Sequence, residues 1–133
     1  MRMIMKNAGK YLSVLLWLIA LHSFTAGILL ITLGNEGIKF FGFPEGNQFF
    51  QVQGGVFHLV MCVAYILASY DTANSRLIIF IILAKLIALV YLLAYFFFIE
   101  AVSTILLSGL ADGMMALLVW YLWRSSKKEA VHE

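Results

Sequence analysis

The chain has 133 residues, 63% of them hydrophobic and 12% charged, with a net charge of +2 and a mean hydropathy of +0.96. A soluble domain is usually about half apolar and about a quarter charged, so this composition excludes a water-soluble globule and places the chain in the membrane class. The small, dispersed charge gives no footing for nucleic-acid binding, and the single cysteine, Cys62, excludes an intrachain disulfide framework.

A basic opening, "MRMIMKNAGK", precedes an apolar run from Tyr11 to Leu33. That run is longer than the roughly 7–15 apolar residues of a cleavable signal, and it reads as a retained first transmembrane helix. Ser23, Gly27 and Gly34 share one strip of it, with His22 and Thr25 beside them. The loop "GNEGIKFFGFPEGNQ" follows, with four glycines and the only proline, Pro44. Phenylalanines interleaved with Gly, Lys and Glu suit a segment lying in the membrane interface. A partner-docking or lipid-gating surface is the sharper alternative.

The second span, Phe50 to Tyr70, interrupts its apolar run on a strict beat. Gln51, Gly55, His58, Cys62, Tyr65 and Ser69 are separated by steps of four, three, four, three and four. Hydrocarbon cannot satisfy polar groups, and a period near 3.5 is the seam period of packed helices. The stripe is therefore expected to face the other three helices. A short polar turn, "DTANSR", leads to the third span, Leu77 to Ile99. There Ala84, Lys85, Ala88, Tyr91 and Tyr95 fall in an arc of roughly 120° at about 100° per residue. After the tight "EAVS" turn, the fourth span runs from Val102 to Trp123. It carries Thr104, Ser108 and Asp112 at steps of four, with Gly109 and Gly113 in a GxxxG pattern that permits close backbone approach. Residues 124–133 read as a frayed cytoplasmic tail. The expected fold is all-α: one domain over residues 1–133, an up-down bundle of four transmembrane helices.

Charge sets the expected orientation. Arg2, Lys6, Lys10, Arg76, Arg124, Lys127 and Lys128 fall on one side and Lys39 alone on the other. The positive-inside rule then puts both termini in the cytoplasm, across a plasma (inner) membrane. Tyr11, Tyr70, Trp120, Tyr121 and Trp123 mark the cytoplasmic boundary, and Phe40, Phe41, Phe43, Phe49 and Phe50 the outer one.

At 1.5 Å per residue, Lys85 lies about 12 Å from the cytoplasmic ends, and Asp112, His58 and His22 about 16–18 Å. An unpaired charge at such depth costs a few kcal/mol. Lys85 and Asp112 are opposite in sign and sit on consecutive helices, so they are expected to pair, directly or through a bridging group. Side chains lean toward their helix N-terminus, which would incline these two apart. The candidate ligand-binding or buried polar set is Lys85, Asp112, His58, Tyr65, Gln51, Ser108, Tyr91 and His22. The candidate packing set is Gly109, Gly113, Gly27 and Gly55. His22 and His58 share a depth, but no HxxxH or ExxH pair accompanies them, so haem and other metals stay outside the reading. The enzyme signatures sought, a phosphate-cradling glycine loop, HExxH, CxxC and GxSxG, are missing from the sequence.

In "FPEGNQFFQVQGGVFHLVMCVAYILAS", with Gly54 and Gly55 near the start of the second span, and in "GLADGMMALLVWYLW", the chain resembles the DoxX-like group of small four-helix bacterial membrane proteins. The resemblance implies the four-helix fold and, for some members, a link to quinone-dependent sulfur oxidation. None of the group's catalytic motifs carries over to a residue here.

The leading functional expectation is a non-catalytic accessory or assembly subunit that packs on other membrane subunits or on itself, using the GxxxG face. One alternative is a redox-accessory protein holding a quinone or lipid between the second, third and fourth spans. Lys85 and Asp112 would orient the head group there, with His58 or Tyr65 hydrogen-bonding it. The other is a small oligomeric transporter or proton path through His58, Asp112 and Lys85.

Overall fold

The computed structural model describes residues 7–42 and 46–131. Arg2, Lys6, Phe43 and Pro44, which entered the orientation and loop arguments, lie outside the described residues. Among the described residues five helices follow in order: α1 (Ala8–Thr32), the short α2 (Asn35–Phe40), α3 (Gln48–Tyr70), α4 (Ser75–Phe98) and α5 (Ser103–Val131). The four long ones are long and apolar enough to cross a membrane. They form the up-down bundle expected from the hydropathy.

Local chemistry sets the helix ends. Asn47 caps α3, its side chain accepting from the Phe49 amide, and Asn74 caps α4, accepting from the Leu77 amide. The C-terminus of α1 is closed from outside: the Gln51 amide donates to the carbonyls of Leu30, at 2.8 Å, and Leu33. These would otherwise be orphan carbonyls. The last helix departs from expectation. Residues 124–131 continue α5 instead of fraying. They contain neither Gly nor Pro, and Lys127 and Arg124 stack over the rings of Trp123 and Trp120, at 4.3 and 5.2 Å. The Glu129 carboxylate accepts from the Ala8 amide, at the start of α1, at 3.4 Å.

α1 packs along α3, α4 packs along α5, and α1 with α5 joins the two hairpins; α3 and α4 touch far less. Lipid removes most of the hydrophobic drive between helices, leaving van der Waals contact and hydrogen bonds to hold them. Close approach therefore matters. A methyl group at Gly27 would stand 2.9 Å from the Gly55 carbonyl oxygen, and one at Gly55 2.8 Å from the Gly27 carbonyl oxygen. The two glycines are the crossing point of α1 and α3. Gly109 and Gly113 serve α4 in the same way, against Leu92 and Leu89. The GxxxG face is thus used inside the chain, which removes it as the outward docking face that the accessory-subunit expectation drew on.

The packed core occupies the half of the bundle nearer the chain termini. Leu12, Leu16 and Ile19 of α1, Ile78 and Ile81 of α4, and Val119 of α5 are fully buried there, with Met61, Cys62, Tyr65 and Ala68 of α3 in the same cluster. The other half, toward the loop between α1 and α3, is less tightly filled.

Candidate functional site

The polar beat of the second span is the seam between α3 and α1. Level by level, Gln51 meets the end of α1, Gly55 meets Gly27, and His58 meets Ser23. Near the far end, the Ser69 carbonyl accepts from the Ser13 hydroxyl at 2.8 Å. Each pairing keeps the same antiparallel register, so polar and small residues coincide on the two helices. Gly55, Cys62, Tyr65 and Ser69 are buried, and Gln51 and His58 half-buried. Lipid-facing hydroxyls are handled differently. Thr25 and Thr32 donate to the carbonyls one turn back, Leu21 and Ile28.

Lys85 and Asp112 form a direct ion pair, Nζ to Oδ1, at 2.5 Å. No bridging group separates them. The register explains why. Gly113 lies against Leu89, which places Lys85 about five residues, roughly 7.5 Å at 1.5 Å per residue, toward the terminal end from Asp112. The lysine stem extends across that offset to reach the carboxylate. The lean of each Cβ sets where the side chains start, and the length of lysine overrides it. The ammonium also lies 5.5 Å from the centre of the Tyr65 ring, so Tyr65 meets the pair through its face. Only 7% of the Lys85 side chain and 17% of that of Asp112 are exposed.

Tyr91 departs from expectation: it is 66% exposed, on the outside of α4, beside the ring of Tyr95. The 120° arc drawn from the sequence was too wide. The face that α4 turns inward runs through Ile78, Ile81, Lys85, Leu89 and Leu92, and Tyr91 is about 100° away from Leu92 on the helical wheel.

The residues above the ion pair line a cavity of about 500 Å³. Its deep end is Asp112, His58 and His22. Counting 1.5 Å per residue, these lie about 14–15 Å from the loop-side ends of their helices, near mid-membrane. The cavity is open on one side, since His22, Leu29, Leu107 and Ser108 of its lining are exposed. Its walls are mostly aliphatic, from Leu29, Leu30 and Leu33 of α1, Leu92 of α4, and Leu107 and Ala111 of α5, with Ser108 among them. Ile38 and Phe41, from the loop that follows α1, close over one end. The Thr104 hydroxyl, also in the lining, ties that loop down by donating to the Phe41 carbonyl at 2.6 Å.

Of the residues singled out from the sequence, Asp112, His58, His22 and Ser108 therefore share one chamber. Lys85 and Tyr65 lie beneath it, Gln51 serves the helix end, and Tyr91 is outside. Sequence reasoning missed the contribution of Thr104 to the loop and of Ser23 to His58. The Ser23 hydroxyl lies 3.2 Å from His58 Nδ1 and donates to the His58 carbonyl at 2.9 Å. The matching registers of the two stripes were the signal that could have found it. Among the described residues, no group of three or more His, Cys, Asp or Glu is placed to hold a metal ion.

Four apolar crossing helices around a polar-floored chamber define a small polytopic membrane protein. The chain matches no known protein family, no curated protein and no solved structure.

Proposed function

We propose that this protein binds a membrane-soluble ligand, a quinone or a neutral lipid, with its polar head on the Asp112, His58 and His22 floor and its apolar part along the leucine walls. The observation that carries the reading is the chamber itself. Ligand sites are typically about 300–1,000 Å³, largely apolar, with a few convergent polar groups. This one is about 500 Å³, with Asp112, His58 and His22 at its deep end. Ionisable groups within a membrane are functional candidates in their own right.

Two further observations favour this reading over its rivals. The accessory-subunit role drew on small size, missing enzyme motifs, short loops and the GxxxG face, and of these the GxxxG face is taken up inside the chain, where Gly109 and Gly113 pack on α4. A transport path would need polar groups to continue past Lys85, where Leu12, Leu16, Ile78, Ile81 and Val119 fill the core. We further propose an inner-membrane location with both termini cytoplasmic, on the charge asymmetry of the sequence, and we keep the DoxX-like kinship as a proposal on which the ligand reading does not depend.

The test is extraction and mass spectrometry of small molecules from purified wild type and an Ala111→Phe variant. Ala111 lines the chamber, and a phenyl group there takes up part of its volume while leaving both members of the ion pair in the sequence. One species enriched in wild type and depleted in the variant is the expected result. Identical lipid profiles from both proteins overturn the proposal.

A further inference from the structure

The hydrogen bonds behind the chamber floor fix which chemistry it accepts. The Ser23 hydroxyl has one proton and two neighbours on α3, the His58 carbonyl at 2.9 Å and His58 Nδ1 at 3.2 Å. A carbonyl has no proton to give, so the serine proton goes to it. The contact with Nδ1 is then favourable only if the ring nitrogen supplies its own proton. Ser23 is 2% exposed, so no competing solvent loosens this arrangement. In the neutral ring one nitrogen donates and the other accepts. With Nδ1 protonated, Nε2 is a bare acceptor, and it has no hydrogen-bond partner among the described residues.

Asp112 presents the same polarity. Lys85 holds Oδ1, and Oδ2 has no hydrogen-bond partner among the described residues. The Thr104 proton is already committed to Phe41. His22 and Ser108 can each give or accept, so they do not discriminate. The ion pair also leaves the floor with no net charge. An ionised head group of either sign would introduce an uncompensated charge near mid-membrane, at a cost of a few kcal/mol.

We infer that the chamber selects an uncharged head group that donates hydrogen bonds, a hydroxyl-bearing ring or glycerol, over one that only accepts them. This inference rests on the ligand-binding reading above. For a quinone-type ligand it means the reduced, dihydroxy form in preference to the dicarbonyl form. A hydroxyl gives its proton to Asp112 Oδ2 or His58 Nε2. A carbonyl in the same place sets lone pair against lone pair.

The experiment measures equilibrium binding of three amphiphiles with the same twelve-carbon chain to the full-length protein in nanodiscs under anaerobic conditions. These are dodecyl hydroquinone, dodecyl benzoquinone and monolauroylglycerol. One misplaced hydrogen bond is worth about 1 kcal/mol, so the better hydroxyl ligand should bind about fivefold more tightly than the benzoquinone. Whichever hydroxyl ligand wins identifies the source, ring or glycerolipid. Benzoquinone binding as tightly as either overturns the donor rule and leaves the ligand reading standing. No binding of any of the three overturns both. Ser23→Ala, which removes the hydroxyl that fixes the tautomer, should narrow the preference toward unity. Nitrogen NMR of labelled histidine reads folding and tautomer together. It should show a protonated Nδ1 and a bare Nε2 at His58 in wild type, and the opposite tautomer in wild type contradicts the inference.

Discussion

Replacing Lys85 with methionine leaves the Asp112 carboxylate unpaired near the middle of the membrane, and the structure sets the size of the effect. Breaking one side of a buried ion pair costs about 3–5 kcal/mol, and a lone central charge about 2.5–3.5 kcal/mol on the insertion scale. Asp112 keeps 17% of its side chain open to the chamber, so the lower part of the first range applies and the two estimates meet near 3 kcal/mol. Asp112→Asn should cost less, about 2 kcal/mol. The freed ammonium keeps the Tyr65 ring at 5.5 Å, and its flexible stem can swing toward the terminal side, where the Cβ already points. The double variant Lys85→Met/Asp112→Asn removes both charges at similar volume and should fall within about 1 kcal/mol of wild type. The assay is reversible unfolding in mixed micelles, followed by tryptophan fluorescence, closing a double-mutant cycle. A double variant destabilised by the sum of the single changes would show no coupling and would refute the pairing argument.

Other expectations follow from single contacts. Gly55→Ala should destabilise by about 1–3 kcal/mol, because its methyl group meets backbone at 2.8 Å. Gly54→Ala, whose nearest neighbour is Leu30 Cδ1 at 3.9 Å, should be tolerated in the same unfolding assay. Gln51→Leu uncovers two carbonyls of α1 and should cost about 1 kcal/mol, at roughly 0.6 kcal/mol per hydrogen bond within a membrane. Amide exchange should then rise selectively over residues 29–33. Thr104→Val removes the tether to Phe41, and hydrogen exchange over residues 37–42 should quicken while α4 and the terminal half of α1 keep their protection.

How far the sequence reaches is clearest along the second span. Its six-residue stripe gave the buried face of α3 because a period of 3.5 can be read without knowing any neighbour. The Lys85 and Asp112 pairing was equally legible, since two isolated opposite charges in hydrocarbon have few alternatives. Tyr91 was not. An arc of 120° on a helical wheel covers both sides of a packing ridge, and only the positions of Leu89 and Leu92 against the α5 glycines show where the ridge lies. Gly109 and Gly113 carry a close-approach signal with no address, so the pattern could not distinguish an internal helix from an external one. The α5 extension past Trp123 depends on contacts between tail side chains and residues of both end helices. The chamber was hidden for a different reason. It arises where four helices pack unequally along their lengths, a property of no single helix. The Ser23 bond to His58 appears only after the antiparallel register of α1 and α3 is known.

The claim that polar groups from separate helices turn inward to hold a ligand is tested most directly by photocrosslinking in native membranes. A diazirine side chain at position 111 projects into the chamber, and the same side chain at position 117 replaces Leu117, which is 64% exposed on the outside of α5. Illumination followed by peptide mass spectrometry should give one dominant small-molecule adduct at position 111 and a mixture of bulk phospholipids at position 117. The same bulk mixture at both positions would contradict the account.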